Sequence, residues 1–540
     1  MKKKVFWKLL LIFLVIFSLL GTSCSKNEGS NYLFRYSLLE DPKNLDPQLA
    51  TDTSSLVIIE NMFEGLLKNT SSGNLSEGVA KSYSVSEDGL TYTFELRENA
   101  FWTAKDYSEN VTAADFVFTF KRLINPATHS PYANQFLSIK NAEKINAGQL
   151  SIDNLGIKAN GKYQLVIELE HPDANFLTLL TTSPAMPCNE KFFNSTKGRY
   201  GLETIDVISN GPFYLKDWLY DPYGKNNYLI LRRNTTYSDV SKVYPSGLNF
   251  FIARTTDKIN ENYTKESTDC IVDNGFNRDL FNSKSINREY QNASSGIVFN
   301  LNNPYLKITE VRKSLSIALD RDLLSKKLPQ NIKIANGIIP SGVTMLNKSF
   351  RELSAEPTLT MFNLSLSQYL WESTLTQAEK NSFNNSSIIV PKSYEYSDYL
   401  SSISDQWSDA LGFYCTVEVL PDNEYKARIE SGNYMMAIVK LTGDMNSPSA
   451  FLNSFRTGNK DNITKYSNQE FDSILSGAET AASHSESVSK FAQAEKFLTD
   501  NYIFTPIFYH TEYLINNKDM ADIIYNPFTK QVNFTKAKKY

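Results

Sequence analysis

The sequence predicts a mixed α/β protein of two or three domains. Its 540 residues are 41% hydrophobic and 21% charged, and single domains usually hold about 100 to 200 residues, so the chain can bury more than one core. Alternating stretches typical of strands and stretches with helical spacing occur together, most clearly in residues 77–133. We therefore expect several packed units that contain both strands and helices.

The first 23 residues predict an export signal. Three lysines precede the twelve-residue run 9–20, which is apolar except for one serine and shorter than the ~20 residues needed to span a bilayer. The following Leu-Gly-Thr-Ser-Cys resembles a bacterial lipobox, with Cys24 as the lipid-bearing first residue of the mature chain. Gly21 stands where a large aliphatic residue is usual, so ordinary cleavage with a free Cys24 thiol and an uncleaved signal anchor stay open. Residues 25–31 suit a flexible tether.

The composition of the remaining chain excludes some classes of protein. The signal holds four basic and no acidic residues, which leaves 51 basic against 59 acidic residues and a net charge of −8 on the rest. A mildly acidic chain argues against a nucleic-acid groove. If Cys24 is acylated, then Cys188, Cys270 and Cys415 permit at most one disulfide, whose pairing the sequence does not give. No Cys/His spacing typical of a metal site is present, so we expect neither a metal nor a cofactor.

Residues 77–133 predict a hairpin followed by a helix. Asp88-Gly89 supplies a turn between two alternating runs, and the face that carries Tyr92, Phe94 and Leu96 should be buried. Thr112 with Asp115 resembles a capping box at the start of a helix that should end near Asn125-Pro126. Its core-facing residues are expected to be Ala113, Phe116, Val117 and Phe120.

Later elements follow the same patterns, although no element is assigned to residues 350–395. Predicted strands are residues 163–170, 228–232, 297–300, 435–441 and 503–508. Two helical stripes are predicted: Val311, Leu315, Ala318 and Leu319 in one, and Phe491, Ala494, Phe497 and Leu498 of a helix at 490–501 in the other. Ser447-Pro448 should cap and begin a further helix.

Several motifs resemble one known family, the extracytoplasmic solute-binding proteins of ABC transporters that carry oligopeptides, dipeptides and some other small solutes. They are GVAKS at 78–82, DGLTYTFELR at 88–97, VTAADF at 111–116, NPATHSPYA at 125–133, and NGPFYLKDW at 210–218. The resemblance covers nearly all of the mature chain. It implies a two-lobed periplasmic-binding-protein fold with a hinge and an additional small domain inserted in the first lobe.

The family architecture implies a division of the chain in which the first lobe is assembled from three segments. The expected parts are signal peptide 1–23, lobe I 24–68, inserted domain 69–200, lobe I again 201–292, lobe II 293–505, and a C-terminal return to lobe I at 506–540. A ligand would lie between the lobes.

Peptides of varied sequence share only their backbone amides, α-ammonium and carboxylate, and the candidate site residues match that requirement. The resemblance implies that Asp444, in an ungapped D-x-N-x-P, binds the ligand's α-ammonium; without it, Asp444 reads as an ordinary turn residue. Main-chain groups of Leu441, Thr442 and Gly443 would run along the ligand. Those of Thr51, Asp52 and Thr53 would oppose them. Tyr132 would lean on the ligand or simply pack.

The chain also departs from its relatives near this motif. Oligopeptide binders commonly have Trp-Cys where this chain has Leu441-Thr442, and an arginine where it has Ile438, so peptide length and C-terminal recognition are left open. Lys440 is nearby but, as a strand lysine, is expected to be solvated. Cell-wall-derived peptides, which carry extra carboxylates, stay open as ligands.

The resulting expectation is a monomeric substrate-binding component of an ABC peptide importer that delivers peptides to the permease. It would be exported and held at the membrane or cell surface by an N-terminal lipid anchor. The same fold could instead bind a dipeptide, an opine or a metal chelate, although the histidine scarcity disfavours metal. A peptide hydrolase is the rival from another class, but no hydrolase, P-loop or Rossmann motif is present. A surface adhesin that uses the fold has no positive signal.

Overall fold

The computed structural model describes residues 32–540 apart from 71–73, 105–106, 276, 283, 327, 329–331, 346–347, 356, 358–361, 444, 460–461 and 482. The signal segment, Cys24 and Asp444 therefore lie outside the described residues. Within the described part, no helix is long and apolar enough to cross a membrane.

A four-stranded sheet forms the first lobe. Its strands lie in the order Leu33–Leu38, Gly247–Ile252, Tyr228–Arg233 and Phe213–Leu219. Helix Thr53–Met62 packs on this sheet and on the C-terminal segment. Asn61 of the helix joins the two, since its amide donates to Val532 O (2.7 Å) and its Oδ1 accepts from Phe534 N (2.9 Å). The lobe is thus assembled from distant parts of the chain.

A second four-stranded sheet lies within residues 75–200. Its strands lie in the order Ala80–Val85, Thr91–Leu96, Gln164–Glu168 and Ile157–Ala159. The predicted hairpin is confirmed, because Gly89 turns the chain with a φ of 71°, a conformation that favours glycine. Tyr92, Phe94 and Leu96 are buried, as expected for one face of a strand.

Helix Ala113–Ile124 begins and ends where the sequence predicts. The amide and hydroxyl of Thr112 donate to Asp115 Oδ2 at 2.7 and 3.0 Å, which satisfies an otherwise unpaired group at the helix start. Phe116 and Phe120 are fully buried between the helix and the sheet. Asn125 ends the helix just before a proline.

A seven-stranded sheet joins the two lobes. Six of its strands lie in the order Cys270–Asp273, Phe504–Asn517, Ser285–Phe299, Met436–Thr442, Ser386–Pro391 and Cys415–Leu420, and Lys333–Ile334 pairs with the second of these. Ser285–Phe299 and Phe504–Asn517 are long antiparallel strands that we call the crossing strands. Residues 513–516 of the second crossing strand pair with Cys270–Asp273. Asp269, which precedes that strand, forms an ion pair with Arg35 of the first lobe (2.6 Å). The crossing strands therefore form the connection on which the lobes would hinge.

Hydrophobic cores follow this arrangement. One continuous core extends through the first lobe and the second sheet. The sheet of the second lobe is covered on both faces, with Ile297 and Ile438 in one core and Val298 and Val439 in the other. Such two-sided burial is expected for a sheet covered by helices on both faces.

The described chain also contains helices around these sheets and five short pairs of strands. The described α-helices are Thr53–Met62, Ala113–Ile124, Ala142–Asn146, Phe176–Leu179, Glu190–Ser195, Thr256–Thr264, Thr309–Ile317, Arg321–Ser325, Phe350–Leu353, Leu364–Thr374, Gln377–Asn381, Ser401–Leu411, Asp422–Ser431, Pro448–Leu452, Gln469–Glu479 and His484–Asp500. Four of these pairs are hairpins: Leu67–Asn69 with Leu75–Glu77, Phe101–Ala104 with Tyr107–Asn110, Thr344–Met345 with Lys348–Ser349, and Ile524–Asn526 with Gln531–Asn533. The fifth, Met520–Ala521 with Lys538–Lys539, encloses the last of these hairpins.

Several elements are longer than the sequence predicts. The strand expected at 297–300 begins at Ser285, and the one expected at 503–508 continues to Asn517. The helix expected at 490–501 begins at His484. The described part of residues 350–395, which carried no assignment, contains three helices and the strand Ser386–Pro391.

The cysteines of the described chain form no disulfide. Cys188, Cys270 and Cys415 are each buried as free thiols. None of the possible disulfides among these three cysteines is therefore formed.

Candidate ligand-binding site

Strand Met436–Thr442 presents a free edge in the second lobe. It pairs along its whole length with the crossing strand Ser285–Phe299. On its other side, only its first two residues pair with Ser386–Pro391. Residues 438–442 thus have no strand partner on that side in the described chain, where the Tyr425 hydroxyl donates to Ile438 O (2.8 Å). A free strand edge can pair with an extended peptide.

The predicted ligand residues Leu441, Thr442 and Gly443 lie at the end of this edge. The Leu441 side chain is buried in the core, whereas Thr442 is exposed. A Cβ atom on Gly443 would lie 2.8 Å from the Phe451 ring, so only glycine fits where the chain leaves the strand. The next residue, Asp444, lies outside the described chain.

The residues that follow Asp444 lead into a short helix. Ser447 caps helix Pro448–Leu452, as predicted, by accepting from Ser449 N (3.2 Å). Asn446 Oδ1 accepts from Thr344 N at 2.8 Å, which joins this segment to a neighbouring hairpin. Asn446 and Ser447 are therefore held by contacts on both sides of the chain.

The other predicted segment lies on the first lobe. Asp52 caps helix Thr53–Met62, and its carboxylate accepts from Ser55 N (2.8 Å) and Ser55 Oγ (2.7 Å). Its side chain is therefore occupied by a structural role. Thr51 and Thr53 are exposed on either side of it.

Buried polar contacts hold the loop before Thr51 to helix Ala113–Ile124 and to Tyr132. Arg122 forms a buried ion pair with Asp46 and donates to Gln48 Oε1 (2.8 Å). The Tyr132 hydroxyl donates to Ala50 O. Burial, with the nearby Asp52 charge, raises the pKa of Tyr132 to about 12. The hydrogen bond to Ala50 brings Tyr132, which is half-buried, together with the Thr51 segment.

A cluster of charged groups near Thr442 was not predicted. Lys440 and Thr442 share one side of the strand, and Lys440 Nζ lies 2.7 Å from Glu395 Oε1. Lys440 is exposed, as expected for a strand lysine, and is in addition paired with Glu395. His510 Nδ1 lies 3.4 Å from the same oxygen, in an electrostatic contact rather than a well-aligned hydrogen bond. The Ser295 hydroxyl lies within hydrogen-bond distance of His510 Nε2.

A second ion pair continues this cluster toward the first lobe. Lys530 Nζ lies 2.6 and 2.8 Å from the two carboxylate oxygens of Glu512. Glu512 Oε2 also accepts from the Tyr525 hydroxyl (2.6 Å) and the Asn292 amide (2.9 Å). We call Glu395, Lys440, His510, Glu512 and Lys530 the charged floor.

Within the charged floor, the pKa of His510 is strongly shifted. Burial lowers the pKa of His510 to about 4, although the nearby Glu395 opposes this shift. Burial also disfavours the Glu395 carboxylate, but contacts with His510 and Lys440 outweigh it and lower the pKa of that group to about 2. At neutral pH the site thus contains a neutral histidine and an ionised carboxylate.

The described chain has a small cavity near the lobe boundary and a larger one on the first lobe. One, of about 130 Å³, is lined by Tyr290, Thr344, Asn446, Tyr525 and neighbouring residues. A larger one, of about 810 Å³, lies at the first lobe between Asp41, Trp218 and Arg254. Neither cavity is lined by a predicted ligand residue, although Asn446 of the smaller one comes two residues after Asp444 in the sequence.

Comparison with known proteins agrees with this architecture. The model of a protein family described as "Bacterial extracellular solute-binding proteins, family 5 Middle" matches residues 74–462. The chain belongs to this family. The oligopeptide-binding protein OppA of Bacillus subtilis is 26% identical to this family 5 protein, over 99% of each chain. The periplasmic murein peptide-binding protein MppA of Escherichia coli is 27% identical, over 90% of this chain and 91% of its own.

Solved structures show the same fold for this family 5 protein. The unliganded open form of MppA, a periplasmic murein tripeptide binding protein, superposes with a TM-score of 0.78. That match has 23% sequence identity and covers 95% of this chain and 98% of the other. The two-lobed α/β fold expected from the sequence is therefore confirmed.

Proposed function

We propose that this family 5 protein is the substrate-binding component of an ABC importer, which captures peptides between its lobes and delivers them to the permease. The observation that carries the proposal is the free edge at residues 438–442, because peptides of varied sequence can be held through their backbone. Relatives named for binding oligopeptides and murein peptides support the same cargo.

Asp444 is the proposed partner of the peptide's α-ammonium. In the sequence it comes shortly after the exposed end of the free edge and before the cap of helix Pro448–Leu452, within the D-x-N-x-P motif. Main-chain groups of Leu441, Thr442 and Gly443 would bind one side of the ligand. Those of Thr51, Asp52 and Thr53 would bind the other, with Tyr132 supporting them through Ala50.

The proposed mechanism is closure of the two lobes about the crossing strands. A ligand that contacts both lobes stabilises the closed form by its greater affinity for that form. We keep the domain limits 24–68, 69–200, 201–292, 293–505 and 506–540 as part of this proposal. The separate sheets of the first lobe and of residues 75–200 support them.

Lipidation of Cys24 is the proposed means of attachment at the outer face of the membrane. Family 5 proteins are extracellular solute-binding proteins, which fits export. Replacing Cys24 with serine should abolish metabolic labelling by radioactive palmitate. Unchanged labelling would contradict the lipoprotein assignment.

Binding without catalysis is the proposed activity, and peptides rather than another solute are the proposed cargo. Mass spectrometry of the purified protein should find copurified peptides, and a peptide mixture incubated with it should be retained in part but not altered. New cleavage products would favour a hydrolase. A copurified opine or metal chelate would favour the alternative cargo.

Asp444→Ala tests the site directly. The substitution should reduce affinity for tripeptides with a free amine about tenfold or more, because it removes a charge-assisted hydrogen bond, and should affect their N-acetylated forms much less. Calorimetric titration of both peptide forms measures the difference. Asp500→Ala, which removes a half-exposed carboxylate at the end of a helix, is the matched control. Equal losses for both peptide forms would refute the role of Asp444.

A further inference from the structure

A large cavity opens on the first lobe at the carboxyl ends of two parallel strands. Strands Leu33–Leu38 and Gly247–Ile252 pair in parallel. Glu40 and Asp41 follow the first strand, Arg254 follows the second, and all three line the cavity of about 810 Å³, which we call the first-lobe cavity. In open α/β sheets, ligands bind in the crevice outside the carboxyl ends of the strands. The cavity therefore lies where such a sheet offers a binding site.

Polar contacts between distant segments hold the walls of the first-lobe cavity. Asp41 accepts from the Asn227 amide (2.7 Å) and forms an ion pair with Arg254 (3.3 Å). Arg254 also donates to Gly224 O (2.9 Å) and has a φ of 67°, which residues other than glycine rarely adopt. Such backbone strain persists where the surrounding contacts over-determine it, and it is concentrated at functional sites.

A further wall, residues 202–205, is fixed by the chain on either side of it. Leu45 N donates to Gly201 O (2.7 Å), and Gly201 N donates to Asp206 O (3.0 Å). An added Cβ on Gly201 would come 2.7 Å from Asp46 N, so the two segments pack closely. A ligand would therefore enter a preformed cavity and would lose little affinity to the ordering of protein groups.

The lining of the first-lobe cavity combines aromatic and aliphatic side chains. Trp218 is half-buried and Tyr220 is 58% exposed. Leu202 and Ile205 are 48% and 79% exposed. Exposed apolar side chains that are grouped in this way, with polar residues around them, mark interaction sites. The ligand should therefore have an apolar face.

The charged groups of the same lining largely cancel one another. Asp41 is paired with Arg254, and Glu203 is paired with the arginine four residues before it. Glu40 and Lys43 are exposed and of opposite sign. An ionic ligand would therefore meet no excess of the opposite charge. A hydroxyl group both donates and accepts, so a neutral ligand rich in hydroxyls can bind carboxylates and cations alike.

We propose that the first-lobe cavity binds a carbohydrate, with a sugar ring against Trp218 and Tyr220 and its hydroxyls on the charged groups around them. A pyranose ring has a face of C–H groups and a rim of hydroxyls, which is the combination that this lining fits. The cavity volume lies within the range of about 300 to 1,000 Å³ that is usual for small-ligand sites and leaves room for a short oligosaccharide. Because no predicted peptide-binding residue lines the cavity, the carbohydrate site is independent of the proposed function.

The tryptophans of the chain make this site measurable. Trp102, Trp371 and Trp407 are at most 1% exposed, and Trp7 precedes the mature chain, so iodide in solution should quench mainly the fluorescence of Trp218. Quenching of the mature chain is measured with and without millimolar chitotriose or maltotriose. At least one trisaccharide should reduce the quenching, and Trp218→Phe should remove the quenchable fraction. Protection by chitotriose would identify a β-linked glycan of the cell-wall type as the ligand, and protection by maltotriose an α-linked nutrient sugar.

Matched tyrosine variants keep the test independent of folding. Tyr220→Ala removes an exposed ring of the lining and should weaken the binding of the protecting trisaccharide about three- to tenfold in calorimetric titration. Tyr223→Ala removes a tyrosine that is 95% exposed and outside the lining, and it should behave as wild type. Peptide affinity should be the same in all three proteins.

Two results would overturn the carbohydrate site. One is the absence of both protection and heat with either trisaccharide, and the other is unchanged trisaccharide affinity in Tyr220→Ala. Either result would leave peptide binding intact. Failure of the wild type to bind peptides would instead overturn the proposed function and leave the carbohydrate site standing.

Discussion

His510 is buried between two ion pairs and is kept neutral by that burial. It is only 2% exposed, and burial lowers its pKa from 6.5 to about 4. Because the unfolded chain then takes up the proton at higher pH than the folded chain, stability is fully present above pH 6.5 and is lost as the pH falls toward 4.

The histidine should therefore dominate one part of the pH dependence of stability. Between pH 7 and pH 4.5, the wild type should lose about 2 kcal/mol of unfolding free energy that His510→Gln does not lose. Urea midpoints at the two pH values measure the difference. Exposed His484 offers the control, since His484→Gln should follow the wild type. Parallel pH curves for wild type and His510→Gln would contradict the assignment.

Single residues were only partly predictable from sequence. Thr51 and Thr53 are exposed as a ligand contact requires, but the role of Asp52 as a helix cap was not predicted, because its N-terminal position in that helix was not recognised. The charged floor was missed because Glu395, Lys440 and His510 are distant in sequence. The alternation of His510 and Glu512 within an apolar strand is the local signal that could have indicated it.

The crossing strands depend on a glycine at their closest approach. Gly296 lies at a register shift in Ser285–Phe299, and an added Cβ would come 2.5 Å from both the Phe504 ring and Thr505 O. The backbone of the partner strand offers little room to move. The glycine therefore sets the spacing of the two strands that join the lobes.

Substitution at this position should separate the crossing strands. Gly296→Ala should lower the unfolding free energy by about 1 to 3 kcal/mol through overpacking. Gly477→Ala, in helix Gln469–Glu479, meets only the flexible Lys490 side chain and should instead stabilise by about 0.5 to 1 kcal/mol. Thermal unfolding of the two variants measures both the expected loss and the expected gain of stability. A neutral Gly296→Ala would show that the strands can relax apart.

Elements with strong local signals were predicted well, and those that depend on partners were not. The hairpin at Gly89 and helix Ala113–Ile124 have turn and capping residues within their own sequence. The crossing strand Ser285–Phe299 begins with polar residues that show no buried face. It is a strand there because Phe504–Asn517 supplies hydrogen-bond partners along its length.

The two-lobed arrangement followed from the family resemblance rather than from any local pattern. Contacts between lobes join residues far apart in sequence, such as Ser447 Oγ with Asn175 Oδ1 (2.6 Å) and Ala174 N with Glu479 O (2.8 Å). These contacts link the second lobe directly to the domain that we propose is inserted. Ser447 is also the cap of helix Pro448–Leu452, so a movement of the lobes would displace the start of that helix.

Small-angle X-ray scattering of the mature chain, stripped of copurified ligand and then saturated with a peptide, tests lobe closure most directly. Because a peptide that bridges the lobes favours the closed form, we expect the radius of gyration to fall on saturation and to recover when the peptide is removed. Calorimetry on the same sample establishes that the site is filled. A filled site with unchanged scattering would contradict capture between closing lobes.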